Sequence, residues 1–435
     1  MTDRIAPAQP RRQVAGRSMV DRWARQVVLG RLADLHWGKL TLVEEGDARS
    51  YGADTGGQPD ATVEVRDAGF YRSLLLGGSV GAAEAYMRGD WTCDDLPGLI
   101  RIMVRNFSVL TTMEGGLAYL TRPALRLYHW LRRNTKAGSR GNIYAHYDLG
   151  NDFYSLFLDE TMTYSCGIFN TPASTLKEAS VEKYDRLCRK LDLRPADHVV
   201  EVGGGWGGFA VHAATRYGCR VTSTTISQQQ YEWAARRVEE LRLADRVAIL
   251  LMDYRDLRGT YDKLVSIEMV EAVGHQYLET FLQRCSALLK PDGLMALQGI
   301  TIADQHYAQH VRTVDFIKRY IFPGSCLVSV TALCRAATRA TDLAPVHLED
   351  ITPHYAKTLR RWRQAFFARL DDVRALGFDE PFIRMWDFYL GYCEGAFEER
   401  YIGDVQMVFA KPRYRHRIPA GAGAQPSARA ETKGA

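Results

Sequence analysis

Between residues 198 and 300, short apolar runs alternate with longer stretches in which apolar positions recur every three or four residues. His198–Val202 (HVVEV) reads as a buried strand. Five glycines among residues 203–208 then lead into a helical pattern that lasts to Tyr217. Further strands are predicted at 220–224, 248–252, 263–267 and 294–300, with helices at 228–241 and 276–289 between them. Strands alternating with helices imply a parallel sheet with right-handed crossovers. Nearer the N-terminus, residues 39–43 (KLTLV) and 61–65 (ATVEV) alternate apolar and polar positions as half-buried strands do. Helical patches follow at 80–87 and 96–104. The fold class expected is α/β, with a smaller mixed α/β N-terminal domain.

These patterns divide the 435 residues into an arm (1–20), an N-terminal module (21–121), a linker (122–141), a larger α/β domain (142–411) and a tail (412–435), with the arm and the tail expected to be disordered. Charge follows the same boundaries. The whole chain is +5, but residues 122–140 hold six Lys and Arg and no acid, with Tyr128, His129 and Trp130 among them. Both ends are also basic, so the two bodies between them are acidic. Such a basic, aromatic stretch suits an anionic membrane surface. No helix-turn-helix, RRM or OB signature accompanies it, so nucleic acid is not expected as a partner. The 8 cysteines are scattered without a C-x-x-C pair, which indicates neither a zinc site nor a disulfide framework and suits a reducing cytosol. The N-terminus lacks the apolar core of a secretory signal, and no run of about 20 apolar residues occurs. The expected location is the cytoplasm, peripherally on the inner face of the cell membrane.

Gly203, Gly205 and Gly208 satisfy G-x-G-x-x-G, which alone indicates only a tight strand-to-helix turn. A nicotinamide dinucleotide site would place an acid at the end of the second strand, where this chain has Thr224-Thr225-Ile226-Ser227. Acids stand instead at Glu201, before the glycines, and at Asp253, after the third strand. That arrangement resembles class I S-adenosylmethionine-dependent methyltransferases, and carboxylates suit a ligand carrying an ammonium and a sulfonium.

Longer strings narrow the resemblance: HYD-x-GNDF (146–153), LDETMTYSCG (158–167), VGGGWGG (202–208), ISQQQ (226–230), SIEMVEAVG (266–274) and DFIKRYIFPG (315–324). Together they resemble the cyclopropane-fatty-acyl-phospholipid synthases and the mycolic acid cyclopropane synthases. The resemblance implies a Rossmann-like methyltransferase domain and a lipid-binding N-terminal module. It also implies transfer of a methyl group to the cis double bond of an unsaturated phospholipid acyl chain, with ring closure when bound bicarbonate takes a proton. Carried over by motif, the bicarbonate cradle falls on Cys166, Glu271, Gln298, Ile300 and Tyr355. The cofactor contacts fall on Tyr164, Ser165, Gly203, Gly205, Thr225, Gln230, Asp253 and Tyr254. A homodimer is implied, and no metal.

Two positions depart from the family pattern. Gln298 stands where many members have His; it can donate to an anion but cannot become cationic. Gly204 stands where many have Cys, which should loosen the loop. The same cation chemistry can instead give a methylene- or methyl-branched chain, and a non-catalytic lipid-binding protein with regulatory S-adenosylmethionine is the alternative of another class. Cys166 has no evident base partner and is not expected to act as a nucleophile. His306 and His310 have i, i+4 metal spacing without a third ligand and read as exposed or lid residues. His146 is expected to order its loop. Glu271→Gln is expected to cut turnover while sparing cofactor affinity.

Overall fold

The computed structural model describes residues 18–53, 56–106 and 149–415. The basic linker, the arm, most of the tail and His146 lie outside the described residues.

The N-terminal region begins with α1 (Met19–Leu32), capped by Ser18, whose hydroxyl accepts from the Asp21 amide. Strands β1 (Lys39–Glu44), β2 (Asp47–Gly52), β3 (Asp60–Val65) and β4 (Trp91–Cys93) form a sheet in the order β2-β1-β3-β4. The period-2 burial of β1 and β3 is the one their sequences carry, whereas β2 is exposed along nearly its whole length and offers no such signal. Helix α2 (Gly69–Arg88) bends at Gly78, where φ is 56° and ψ is −140°. A Cβ on Gly81 would stand 1.9 Å from the Ser73 carbonyl oxygen, so only glycine allows the two halves of the bend this close. Helix α3 (Leu96–Arg105) ends the region.

The larger region opens with α4 (Asn151–Ser155) and α5 (Leu176–Lys190), the latter started by a reciprocal Thr175–Glu178 capping box. Then follow β5 (His198–Val202), α6 (Gly208–Tyr217), β6 (Arg220–Thr225), α7 (Gln228–Glu240), β7 (Val247–Leu251), β8 (Tyr261–Ile267), α8 (Leu278–Leu288), β9 (Leu289–Ile302) and α9 (Asp304–Arg312). After a π-helical turn at Ile317–Ile321 come α10 (Val330–Ala340), β10 (Ala344–Asp350), α11 (Thr352–Ala368), α12 (Leu370–Ala375), α13 (Glu380–Glu398) and β11 (Ile402–Ala410). The seven strands lie in the order β10-β11-β9-β8-β5-β6-β7. The five strands expected from the sequence pair in parallel, as their alternation with helices implies. Strands β10 and β11, which that pattern did not include, extend the sheet, with β11 antiparallel to both β9 and β10. The alternation of strand and helix that predicts parallel pairing stops after β9, and β11 returns beside β9 from the far side of five α-helices.

Side chains alternate across this sheet. Val199, Val221, Leu294 and Val408 pack with α5 and α6 on one face, while Val200, Leu264, Leu297 and Met407 pack with α8 and α10 on the other. A third apolar cluster joins the N-terminal strands and α2 to α4, α11 and α13. Polar contacts fix the same junction: Tyr86 Oη donates to Asp387 Oδ2 at 2.5 Å, and Arg363 Nε donates to Asp387 Oδ1 at 2.6 Å. The N-terminal sheet is therefore joined to the larger region through α13 and the helices beside it.

Candidate active site

The glycine turn follows β5 directly. Gly203, Gly205 and Gly207 have φ of 81°, 55° and 81°, a region that favours glycine. The Gly203 and Gly204 amides donate to the Thr224 carbonyl at 3.1 and 2.8 Å, which draws the loop over β6. No heavy atom lies within 4 Å of where a Gly205 Cβ would stand, so the loop is open to a ligand there. Gly204, by contrast, faces packed side chains. A Cβ there would meet Ser223 Oγ at 1.9 Å and Glu201 Oε2 at 2.6 Å. Ser223 fills that space and donates to Glu201 Oε2 at 2.6 Å. Burial pushes the Glu201 carboxyl up to about 7, against the lowering effects of the Ser223 hydrogen bond and of Lys183.

Around this turn, Thr225 Oγ1 donates to Gln230 Oε1 at 2.8 Å. Arg255 holds both oxygens of the buried Asp253, with Nε at 2.8 Å and Nη2 at 2.7 Å. Tyr164 meets Tyr389 hydroxyl to hydroxyl at 2.9 Å, and Lys183 Nζ donates to Ser165 Oγ at 2.7 Å. Tyr254 packs edge-on against Phe281. All eight residues expected to contact cofactor line one cavity of about 560 Å³. Glu201 and Asp253 line it too, so a cationic ligand of the size of S-adenosylmethionine meets carboxylates at both places the sequence suggests.

The cradle residues converge, but on a side chain of the protein. Cys166 N and Gln298 Nε2 each donate to Glu268 Oε1 at 2.8 Å, and Tyr355 Oη donates to Glu268 Oε2 at 2.5 Å. Glu268 sits just past the end of β8 with φ 47°, and its amide donates to the Gln298 carbonyl at 2.8 Å. Three donors that an exogenous anion would need are therefore taken by a carboxylate of the chain. Ile300 N donates to Glu271 Oε1, and Glu271 Oε2 is buried without a partner. Burial, then the nearby Glu268, pushes Glu271 up to about 8, so its carboxyl is protonated at neutral pH. Asp404 on β11 is likewise held well above the usual carboxylate range by burial, Glu268 and Glu271. A further anion here would meet the Glu268 carboxylate and find its donors occupied, so the site does not fit bicarbonate beside Glu268.

Glu271, Ile300 and Tyr355 line the cavity together with Glu268, whereas Cys166 and Gln298 stand behind it. The Cys166 thiol donates to the Gly167 carbonyl at 3.3 Å, and burial pushes it well up, so only its amide serves the site. His310 is buried, not exposed, and its Nε2 accepts from the Leu327 amide at 3.1 Å. Both His306 and His310 line the cavity from α9. Among the described residues no cluster of His, Cys, Asp or Glu is placed to hold a metal ion.

Sequence reasoning missed Glu268, Asp404 and Lys183. The signal for Glu268 was present, since SIEMVEAVG holds a second acid three residues before Glu271. Also missed was the cavity's extent. From the cofactor loop it continues between Tyr389, Tyr392 and Phe388 into the N-terminal region, where Leu40, Leu42, Val63, Trp91 and Leu99 form its walls. No described helix is long and apolar enough to cross a membrane.

Comparison with known proteins agrees with this architecture. The family described as mycolic acid cyclopropane synthetase matches residues 134–407. The tuberculostearic acid methyltransferase of Mycobacterium tuberculosis is 37% identical over 383 residues, covering 84% of this chain and 86% of its own. The cyclopropane-fatty-acyl-phospholipid synthase of Escherichia coli (strain K12) is 34% identical over 357 residues, covering 82% and 89%. A solved mycolic acid cyclopropane synthase complexed with SAH and CTAB superposes with a TM-score of 0.59 at 32% identity, covering 62% of this chain and 98% of that one. A Rossmann-like sheet with its glycine turn and these matches together place the chain in the mycolic acid cyclopropane synthetase family of S-adenosylmethionine-dependent methyltransferases.

Proposed function

We propose that the protein transfers a methyl group from S-adenosylmethionine to the cis double bond of a lipid acyl chain, and that Glu268 takes the proton that bound bicarbonate was expected to take. The single observation that carries this reading is the convergence of Cys166 N, Gln298 Nε2 and Tyr355 Oη on the Glu268 carboxylate. The cofactor supplies an electrophilic methyl on a sulfonium. Asp253, held by Arg255, and Glu201, which ionises near pH 7, provide the acceptor oxygens along its binding wall. Tyr164, Tyr355 and Tyr389 present aromatic rings around the reacting space and exclude water that would trap a cation. As the alkene pair forms the new carbon–carbon bond, the methyl–sulfur bond would break with its pair left on a neutral thioether sulfur, and positive charge would develop on the acyl chain beside Glu268. A Glu268 oxygen then accepts a proton from the added methyl group. That electron pair closes a cyclopropane when the charge lies on the neighbouring carbon. It forms a methylene branch when a hydride shift has first moved the charge onto the methylated carbon.

The apolar walls of the N-terminal region suit the remainder of the acyl chain, and the substrate class we infer is an unsaturated phospholipid. Ring formation is our first reading, after the Escherichia coli relative. A branched product is favoured as a second reading by the similarity to the tuberculostearic acid methyltransferase and by the replacement of a free anion with a tethered carboxylate. Peripheral attachment to an anionic bilayer through the basic linker completes the proposal. The test is incubation of the purified protein with methyl-labelled S-adenosylmethionine and vesicles of cis-unsaturated phospholipid, followed by mass spectrometry of the acyl chains. Label in a ring supports the first reading and label in a branch the second. No label in lipid overturns both.

A further inference from the structure

Behind Glu268 a row of polar side chains crosses the sheet from its outer edge. Glu349 on β10 pairs in register with Gln406 on β11, Gln406 with Gln298 on β9, and Gln298 with Ile267, the last residue of β8 before Glu268. The side chains follow the same rung. Lys190, at the end of α5, has its Nζ 2.5 Å from Glu349 Oε2 and donates to Gln406 Oε1 at 2.6 Å. Gln406 Nε2 donates to Gln298 Oε1 at 2.9 Å, and Gln298 Nε2 donates to Glu268 Oε1 at 2.8 Å. Gln298 and Gln406 have no exposed surface, and Lys190 has almost none. From a half-buried outer end at Glu349, a polar rung therefore runs inward through Lys190, Gln406 and Gln298, all three of them buried.

The direction of this rung follows from its outer end. An ammonium donates and does not accept. Gln406 must therefore turn its carbonyl to Lys190 and its NH2 to Gln298. Gln298 must then accept through its carbonyl and turn its own NH2 to Glu268. A free glutamine could present either end of its amide, and the wrong end would set a carbonyl oxygen against a carboxylate. We propose that Lys190 is a positioning residue that acts through Gln406 to make Gln298 an obligate donor to Glu268. The inference deepens the proposed role of Glu268 and rests on it for its catalytic meaning. It also answers how Gln298 does its work without the positive charge a histidine could carry.

Gln406→Glu tests the ladder with hardly any change of shape. Its two oxygens accept from Lys190 and from Gln298 Nε2, which rotates the Gln298 carbonyl toward Glu268. Lys190→Met removes the directing donor, and Lys190→Arg retains one. The readout is the titration of Glu268 in protein carrying carboxyl-labelled glutamate, followed by carbon NMR and assigned with Glu268→Gln. The groups that face Glu268 are Asp404 from β11, Glu271 from the turn after β8, Lys183 from α5, Cys166, Tyr355 from α11 and Tyr389 from α13. All six remain in every variant. Gln406→Glu adds a buried carboxylate and Lys190→Met removes a cation, and either change of charge raises the titration of Glu268 without a flip of Gln298, so the uncharged Gln406→Met, which breaks the rung on both sides, is the third variant. The expected result is an upward shift in Gln406→Met as well as in Gln406→Glu and Lys190→Met, from the loss of a hydrogen bond to the charged form. The pH profile of kcat shifts equally, affinity for S-adenosylmethionine is unchanged, and Lys190→Arg returns toward wild type. Should one variant not fold, the others decide. Unshifted titration in a folded variant overturns the proposal. Shifted titration in a protein that methylates no lipid leaves the ladder standing and refutes the proposed function alone.

Discussion

Replacing Glu268 with glycine removes one carboxylate and leaves its cradle. The backbone accepts the change, because φ is 47° at this position and a left-handed conformation costs a non-glycine residue about 1–2 kcal/mol. The cost lies in the Cys166 amide and the Tyr355 hydroxyl, which lose their acceptor, and in Gln298 Nε2, which keeps only the 3.3 Å bond to Asp404 Oδ2. Each buried donor left unpaired costs about 1–3 kcal/mol. Backbone relief and the reduced crowding of Glu271 and Asp404 offset part of this, so a net loss of about 2–5 kcal/mol of stability is expected. Losing a general base lowers turnover by about 10²–10⁴-fold, or roughly 3–5 kcal/mol in the barrier. The empty cradle in Glu268→Gly then has the shape and donors for a small carboxylate-like anion, so added bicarbonate or formate restores part of the rate. The assay is transfer of labelled methyl into vesicle lipid at fixed pH and ionic strength, with chloride as the control anion. Wild-type turnover in the variant without added anion would refute the reasoning. Lost turnover that no small anion restores would refute the geometry of the cradle.

Glu271→Gln now has a different expected outcome from the one its motif suggests. The carboxyl is protonated at neutral pH, and an amide copies its shape and still accepts from Ile300 N, so turnover at pH 7 stays within about threefold of wild type while Glu268→Gln loses nearly all of it. The stability comparison has a defined sign. A folded-state value near 8 means that Glu271 binds its proton more tightly when folded, so wild type loses stability relative to Glu271→Gln as pH rises from about 4.5 to 8, by at most about 1.4 kcal/mol per pH unit. Urea titrations at several pH values measure it. Affinity for S-adenosylmethionine should rise as pH approaches about 7 and then level off, as Glu201 ionises beside a cationic ligand; calorimetry in buffers of different ionisation enthalpy should show proton release below that point. Gly204→Ala should weaken cofactor binding at least tenfold, since its Cβ displaces Ser223, and Gly204→Ala/Ser223→Gly should recover most of the loss.

Much of the fold was legible where local pattern and tertiary burial agree. Strand β5, its glycine turn and the alternation as far as β9 lie where periodicity puts them, because β5, β6 and most of β9 are buried on both faces and even the edge strand β7 is a short apolar run bounded by turns. Strand β2 was not legible, since its exposed side chains carry no alternation. Nor was the antiparallel placement of β11, which depends on a partner more than 100 residues earlier in the chain. At the site, motif spacing located the residues but could not say what their donors would hold. Glu268 stands three residues from Glu271 in one string, yet only the reversed backbone at Glu268 sends its carboxylate to Cys166, Gln298 and Tyr355. Motif reading likewise named Gln298 without Lys190 or Gln406, because the rung connecting them is made by strand register, and register is not written in any one segment.

The central claim is that the acceptor at this site belongs to the chain. It is tested most directly by measuring wild-type turnover in buffer stripped of carbon dioxide, and again after bicarbonate is returned, with labelled S-adenosylmethionine and cis-unsaturated phospholipid vesicles. Equal rates in the two conditions are predicted, since Glu268 already occupies all three donors. A rate that falls on stripping and recovers with bicarbonate would show that Glu268 yields its place to the anion during turnover, and would contradict the account.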